Sequence, residues 1–171
     1  KDKVITLNDG IDLTKFNINQ SSLSIRAELG LNKKDIVITW IGALIPRKCP
    51  ELFIEMANNL SNLYANCKFL VVGDFPENHT EYKKNLKKLA DNLVQERKLI
   101  FTGFRNDVSD ILAETDIFVM TSISEGFPGV VLEACATALP IVSTEVEGIH
   151  EIVTNNKSGY IVPLNDLKGL I

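Results

Sequence analysis

The sequence predicts an α/β domain, a three-layer Rossmann-like parallel sheet of about six strands with helices on both faces. Short runs of β-branched and aromatic residues alternate with segments whose apolar residues recur at helical spacing. The run Ile117–Thr121 is apolar up to its last residue, as expected of a strand that is buried on both faces. Glycine-containing turns follow several of the predicted strands, which favours an open parallel sheet with a ligand edge.

The strand predictions rest on short β-rich runs that end at Gly, Pro, Asn or Asp. In chain order the predicted strands are Val4–Leu7, Ile36–Gly42, Phe69–Val72, Lys98–Thr102, Ile117–Thr121, Pro140–Ser143 and Tyr160–Val162. The predicted helices between them are Ser22–Leu29, Glu51–Leu63, Tyr82–Leu93, Asp107–Ala113, a helix from the Glu125–Gly129 turn to about Leu139, and His150–Val153. We expect Asn106 to cap the fourth of these helices.

Composition limits the classes of function. The chain has 171 residues, a net charge of −4 and 45% hydrophobic residues, which fits one globular domain and argues against a broad nucleic-acid surface. Three cysteines without a close pair predict reduced thiols and a cytoplasmic protein. Because the sequence starts without Met and stops where a helix begins, we expect a single domain over residues 1–171 of a longer protein.

One carboxylate stands apart, because Glu133 is the only charged residue between Glu125 and Glu145. A buried carboxylate is costly unless a polar partner compensates for lost water. Upstream of it, a helix that begins near Pro128 would present free N–H groups and a positive dipole end to an anion. Two carboxylates around an anion site match a ligand with a hydroxyl-bearing ring on each side of a diphosphate. A nucleotide sugar has this layout; a plain strand-to-helix turn is the alternative.

Two adjacent cations, Arg47 and Lys48, follow the predicted strand Ile36–Gly42 at the same edge of the sheet. They could neutralise a diphosphate leaving group, and an exposed basic loop is the alternative. Residues Gly148–Glu151 could form a second helix start that faces the ligand, and we interpret His150 as a surface or structural residue. The sequence has no P-loop, no dinucleotide fingerprint and no cluster of metal ligands, so we expect no metal.

Short signatures recur in a fixed order along nearly the whole chain. They are Leu7–Asp12 with Phe16, Trp40–Lys48, Phe69–Asp74, Phe101–Phe104 and Ser124–Ala134, followed by Pro140–Val142 and Gly148–Glu151. In this order they resemble the C-terminal, donor-binding half of the group 1 (family 4) retaining glycosyltransferases, which have the GT-B fold. The most specific signature is the pair Glu125 and Glu133, which is similar to the Glu-x7-Glu motif of that family.

The resemblance implies that the matching residues surround a nucleotide-diphosphate sugar. At the nucleoside these residues are Glu133 for the ribose hydroxyls and Gly103 with Phe104 for the base. At the diphosphate they are Lys48 and the backbone groups beside Pro128, namely those of Gly129 and Val130. Gly42, which begins the loop that leads to Lys48, is also implied to bind the donor. At the donor sugar they are Glu125, Gly126 and Phe127.

One residue departs from the family pattern, because Ala43 stands where the family usually has Arg after the loop glycine. The diphosphate site therefore loses a cation suited to bidentate recognition, and Arg47 is the residue that could substitute for it.

The resemblance implies a domain that binds the donor NDP-sugar and requires no cofactor, in an enzyme that transfers a sugar to a hydroxyl acceptor during glycan or polysaccharide biosynthesis. Its implied partners are an N-terminal GT-B domain and an acceptor glycan or lipid-linked sugar. A non-catalytic nucleotide-sugar-binding or interaction module is the alternative that Ala43 favours, and an epimerase or phosphorylase is a third possibility.

Overall fold

The structure is a computed structural model that describes residues 10–17, 23–77 and 80–171. In these residues, six parallel strands alternate with helices. The strands are β1 (Ile36–Ile41), β2 (Cys67–Val72), β3 (Leu99–Gly103), β4 (Ile117–Met120), β5 (Ile141–Thr144) and β6 (Gly159–Val162). The helices are α1 (Leu23–Glu28), α2 (Pro50–Leu63), α3 (Thr80–Gln95), α4 (Val108–Ala113), α5 (Gly129–Ala136), α6 (Ile149–Ile152) and α7 (Leu167–Leu170). The predicted α/β class is confirmed.

The strands lie in the order β3-β2-β1-β4-β5-β6. The chain therefore adds β2 and β3 on one side of β1, and then crosses back to place β4, β5 and β6 on the other side. The connections that leave β1 and β4 run in opposite directions and open a crevice at the carboxyl ends of these strands. Open α/β sheets bind ligands at such a switch point.

Helices cover both faces of the sheet, as predicted. On one face, the buried side chains of α2, α3 and α7 pack against Ile38, Trp40, Phe69 and Val71. On the other face, two clusters join α1 and α4 to Val37, Leu70 and Val72, and join α5 and α6 to Phe118, Met120 and Ile141. The central strands are buried on both faces, which explains their nearly continuous apolar sequences.

Some predicted boundaries are wrong. The cap of α4 is Asp107 and not Asn106, and no side-chain hydrogen bond closes that cap. Helix α5 begins at Gly129 with Pro128 as its N-cap, and it ends three residues before Leu139. It ends early because Ala138 adopts a left-handed conformation with φ 57°, which stops the helical hydrogen bonds.

The predicted strand Val4–Leu7, the first residue of the predicted helix Ser22–Leu29, and His79, for which we predict no role, lie outside the described residues. In the part of the chain that the structure describes, no helix is both long enough and apolar enough to cross a membrane.

The loops that follow the first three strands approach one another closely. Gly73 has φ +132°, and a Cβ there would lie 1.9 Å from the carbonyl oxygen of Gly42. The Gly73 N–H donates to the carbonyl of Gly103, and the Gly42 N–H donates to the carbonyl of Val72. Glycine is thus required at position 73, and the contact brings three predicted ligand loops to one edge.

Candidate functional site

Two loops meet at the switch point of the sheet, residues 42–49 after β1 and residues 121–128 after β4. The Ile123 N–H donates to the carbonyl of Arg47 over 2.9 Å. The Arg47 guanidinium donates in return to the carbonyl of Ser124 over 2.6 Å. These reciprocal bonds hold the basic loop against the loop that contains Glu125.

The carboxylate of Glu125 forms ion pairs with both predicted cations, Arg47 and Lys48. Its Oε1 accepts from Lys48 Nζ over 2.6 Å and from the Ser122 hydroxyl over 2.5 Å, and its Oε2 accepts from Arg47 over 3.1 Å. The Glu125 side chain is only 8% exposed, whereas that of Arg47 is 49% exposed. Burial alone raises the pKa of Glu125, but the hydrogen bonds from Lys48, Ser122 and Arg47 and the charge of Lys48 outweigh it and hold the pKa below its ordinary value.

The start of α5 is open to solvent. Pro128 is buried, whereas Gly129 is exposed and the adjacent Val130 is half-buried. A Cβ at Gly126 or Gly129 would meet no atom within 4 Å, and neither residue has positive φ. Packing and backbone conformation therefore do not require these two glycines. The space in front of the helix is free for a ligand to approach the backbone.

Glu133 lies on the fifth residue of α5 and is half-buried. Within the described residues its carboxylate has no hydrogen bond and no ion pair. Burial raises its pKa, and the positive charge of Lys15 lowers it by a smaller amount. An acid that is partly desolvated without a partner costs stability, which is typical of a residue kept for binding.

A separate cavity of about 470 Å³ lies at the ends of β1, β2 and β3. Its lining includes Gly42, Ala43, Phe75, Phe104 and Arg105. The Phe104 ring is 73% exposed and follows Gly103, whose φ is +73°. Arg105 is fixed by ion pairs with Glu28 and Asp107, so the loop that carries Phe104 is anchored. An exposed aromatic ring on an anchored loop beside a cavity can stack on a planar ligand.

Comparison with known proteins shows the family of the chain. The sequence profile of the family described as "Glycosyl transferases group 1" matches residues 21–171. The chain belongs to this family. It is 34% identical over 174 residues to the UDP-Gal:alpha-D-GlcNAc-diphosphoundecaprenol alpha-1,3-galactosyltransferase of Escherichia coli, covering 99% of this chain and 43% of that enzyme. It is 31% identical over 144 residues to the lipopolysaccharide core biosynthesis glycosyltransferase LpsE of Rhizobium meliloti, covering 84% of this chain and 40% of that protein.

Solved structures share the fold of this group 1 glycosyl transferase domain. Anabaena Alr3699/HepE, crystallised with UDP and glucose, superposes with a TM-score of 0.83 at 24% identity, over 95% of this chain and 44% of that one. The C-terminal domain of the group 1 family protein LpcC from Francisella tularensis has a TM-score of 0.80 at 25% identity, over 93% of this chain and 83% of that one. The chain spans less than half the length of the curated relatives named above.

The structure of this group 1 domain brings some predicted residues together and keeps others apart. Arg47, Lys48 and Glu125 form one cluster. In the described residues no hydrogen bond or ion pair joins the Glu133 side chain to that cluster. Phe127 lies beside Gly148, where a Cβ would come within 3.2 Å of its ring, so the loop after β5 supports the turn before α5.

The predicted second helix start, α6, has only four residues. His150 is exposed and lies 3.5 Å from Glu145, which agrees with the interpretation of a surface residue.

Sequence reasoning missed the hydroxyl residues that hold the cluster. Ser122 bonds Glu125, and Thr121 bonds the carbonyl of Cys49 over 2.7 Å and also receives the indole N–H of Trp40 over 3.0 Å. The available signal was their position, since two hydroxyl residues end a fully apolar strand at the ligand edge. Their partners come from distant parts of the chain and could not be inferred from spacing.

Proposed function

We propose that this chain is the donor-binding domain of a retaining glycosyltransferase, which takes a sugar from a nucleotide-diphosphate sugar and transfers it to a hydroxyl acceptor. One observation carries the proposal: Arg47 and Lys48 converge on Glu125 next to the open start of α5, at the switch point of the sheet. Membership of the glycosyl transferase group 1 family supports the same conclusion.

The diphosphate would bind between the basic loop and α5. Two cations against one carboxylate leave a net positive charge, and the helix start adds free N–H donors and a partial positive charge. Gly129 is exposed and a Cβ there would meet no atom within 4 Å, which leaves room for a phosphate to approach the helix start. When the sugar leaves, negative charge develops on the diphosphate, and Lys48 is placed to stabilise it. Glu125, with the backbone of Gly126 and Phe127, would then contact the donor sugar.

The nucleoside would occupy the two remaining features. Glu133 has a carboxylate without a described partner, so it can accept hydrogen bonds from two ribose hydroxyls. The base would lie in the cavity lined by Gly42 and Phe104, just after Gly103 in the chain, where the exposed ring offers a stacking surface.

Arg47 supplies the cation that Ala43 does not. Ala43 is exposed and lines the same cavity as Gly42, so position 43 lies at the site and carries no charge. Arg47 donates to Glu125 from four residues further along the loop and keeps half of its surface exposed. We expect Arg47 to turn from the carboxylate to the diphosphate more easily than Lys48, whose side chain is only 20% exposed.

The relatives support a choice of donor and acceptor to test. The E. coli relative uses UDP-Gal and a diphosphoundecaprenol-linked sugar. A uridine nucleotide is therefore the first donor to test, and a lipid-linked or glycan acceptor would be bound by an N-terminal domain of the intact protein, at the cytoplasmic side of a membrane. We propose that Lys48, Arg47 and the helix start serve in place of a metal, so UDP affinity should be equal with Mg²⁺ and with EDTA.

Calorimetry with UDP and GDP tests the donor site in this chain. We expect weak binding of one nucleotide by the wild type and loss of about tenfold or more in Glu133→Ala, because charge-assisted bonds to ribose are worth about 1.5–3 kcal/mol. Glu96→Ala is the matched control, since Glu96 is 60% exposed just before β3, at the opposite edge of the sheet. Equal affinity in wild type and Glu133→Ala would remove Glu133 from the site, and absence of binding to both nucleotides would refute the donor site.

A non-catalytic module is the second candidate, and Ala43 is the observation that favours it. The intact protein decides between the two functions. Transfer or hydrolysis of any NDP-sugar from a broad panel supports the enzyme, whereas nucleotide binding without turnover supports the module.

A further inference from the structure

The residue after Lys48 has a strained backbone. Cys49 has φ 46° and ψ 53°, the left-handed region that side chains other than glycine rarely adopt. It also serves as the N-cap of α2 without any side-chain cap bond. Such a conformation costs free energy and persists only where the surrounding structure holds it, often at functional sites. Contacts from elsewhere in the fold must therefore hold the loop that carries Lys48 in this conformation.

A chain of buried hydrogen bonds ties this loop to the sheet. The Trp40 indole N–H donates to the Thr121 hydroxyl over 3.0 Å, and that hydroxyl donates to the carbonyl of Cys49 over 2.7 Å. The Lys48 carbonyl lies at 3.2 Å from the same hydroxyl, so the single proton is directed to Cys49. Thr121 is fully buried and Trp40 nearly so. Water therefore cannot replace the bond to the indole, and loss of the hydroxyl would leave the Trp40 N–H unpaired. The Cys49 carbonyl would keep only its 3.2 Å bond from the Leu52 N–H.

We infer that Thr121 is a positioning residue of the donor site, whose hydroxyl holds the strained Cys49 backbone and thereby directs Lys48 Nζ to Glu125. The inference rests on the proposed function. Lysine has a flexible side chain, so the place of its ammonium depends on where its backbone is fixed. Gly42 also helps to fix this side chain, because the Lys48 Cδ atom packs close to it. A Cβ at Gly42 would lie 3.7 Å from that atom. Thr121 itself touches no proposed ligand and acts only through Lys48.

Two substitutions separate the hydroxyl from the shape of the side chain. Thr121→Val keeps the shape and removes the hydroxyl, whereas Thr121→Ser keeps the hydroxyl. We expect UDP affinity to fall about tenfold in Thr121→Val, the value of about one buried hydrogen bond, and to stay within about twofold in Thr121→Ser. Trp40 is the single tryptophan of the chain, so its fluorescence reports on this bond directly. Its emission should change in Thr121→Val and not in Thr121→Ser.

A third substitution tests the role of strain. Glycine adopts the left-handed conformation without the steric cost, so Cys49→Gly removes the backbone strain against which the Thr121 hydroxyl is proposed to hold residue 49. We expect the double variant Thr121→Val with Cys49→Gly to recover most of the lost UDP affinity. Failure of this rescue, or wild-type affinity in Thr121→Val despite a changed Trp40 emission, would overturn the inference.

A measurement without nucleotide keeps the inference separate from the proposed function. The Glu125 carboxyl can be titrated by carbon NMR in each variant. If Thr121 directs Lys48 to Glu125, the pKa of Glu125 rises toward its ordinary value in Thr121→Val and stays low in Thr121→Ser. An unchanged pKa in Thr121→Val overturns the inference whether or not the chain binds UDP. Absence of UDP binding in the wild type counts against the donor site alone.

Discussion

Replacing Glu133 by glutamine should stabilise the protein and weaken nucleotide binding at the same time. The carboxylate is half-buried, and no described group donates to it. Burial penalises an ionised carboxylate more than a neutral amide of the same shape, and for a half-buried group we expect this difference to be about 1 kcal/mol. Glutamine has the same shape without the charge, so we expect Glu133→Gln to raise Tm by about 2–4 °C for a domain of this size.

The gain in stability should depend on pH with a defined sign. Burial raises the pKa of Glu133 in the folded state above its unfolded value. The folded state therefore binds the proton more tightly, and stability falls as pH rises from the unfolded pKa through the raised folded pKa. At pH values above the folded-state pKa, the free-energy cost of burying the ionised carboxylate is constant. Glu133→Gln should exceed the wild type in stability at neutral pH, and the difference should vanish in acid.

Binding should move in the opposite direction. Glutamine offers one neutral acceptor to the two ribose hydroxyls, so the loss is that of a charge-assisted bond, about 1.5–3 kcal/mol or about 10- to 150-fold in UDP affinity. Differential scanning calorimetry at several pH values and titration calorimetry with UDP measure both effects. Glu96→Gln is the control, and it should change neither quantity beyond the small effect of a surface ion pair. A Glu133→Gln protein that is less stable at neutral pH, or that binds UDP as the wild type does, would refute the reasoning.

The remaining predictions concern the basic loop, the helix start and the ion cluster. Lys48→Met should weaken UDP binding by about tenfold, and Arg47→Met should weaken it by less. Water screens the Arg47 charge more, because the Arg47 side chain is 49% exposed and that of Lys48 only 20%. Equal losses in titration calorimetry would contradict this order. Gly129→Ala should leave Tm within a few degrees and weaken UDP binding, whereas Gly73→Ala should unfold the domain, since its Cβ would meet a backbone oxygen at 1.9 Å. Despite its burial, Glu125 has a lowered pKa, so its contribution to stability is present at neutral pH and is lost as pH falls through that lowered pKa; Glu125→Gln should remove this acid-dependent part of the unfolding curve.

The sequence was sufficient for the class of fold and for the family. Apolar runs such as Ile117–Thr121 and helical spacing in Glu51–Leu63 are local patterns, and they predict elements because each element must bury one face or both. The turn before Gly129 and the isolated Glu133 are also local, since a glycine and a lone charge in an apolar run are visible without any contact. Confirmation of the family shows that these local patterns identified the correct class of protein.

Errors arose where a local pattern left a choice open. The sequence before Leu139 does not reveal that Ala138 adopts a left-handed conformation, which ends α5. Asn106 and Asp107 are both good capping residues, so the sequence could not choose between them.

The residues alone determined that this chain forms a parallel α/β domain in which a helix starts next to Pro128, because periodicity and turn residues are properties of short segments. Tertiary structure alone decided that Lys48 and Arg47 meet Glu125, residues 77 and 78 positions away. It also decided that Thr121 joins Trp40 to the loop of Cys49. These contacts depend on the strand order, which sets β4 beside β1 although two other strands intervene in the chain. Strand order is a property of the packed sheet, and no spacing within one loop contains it.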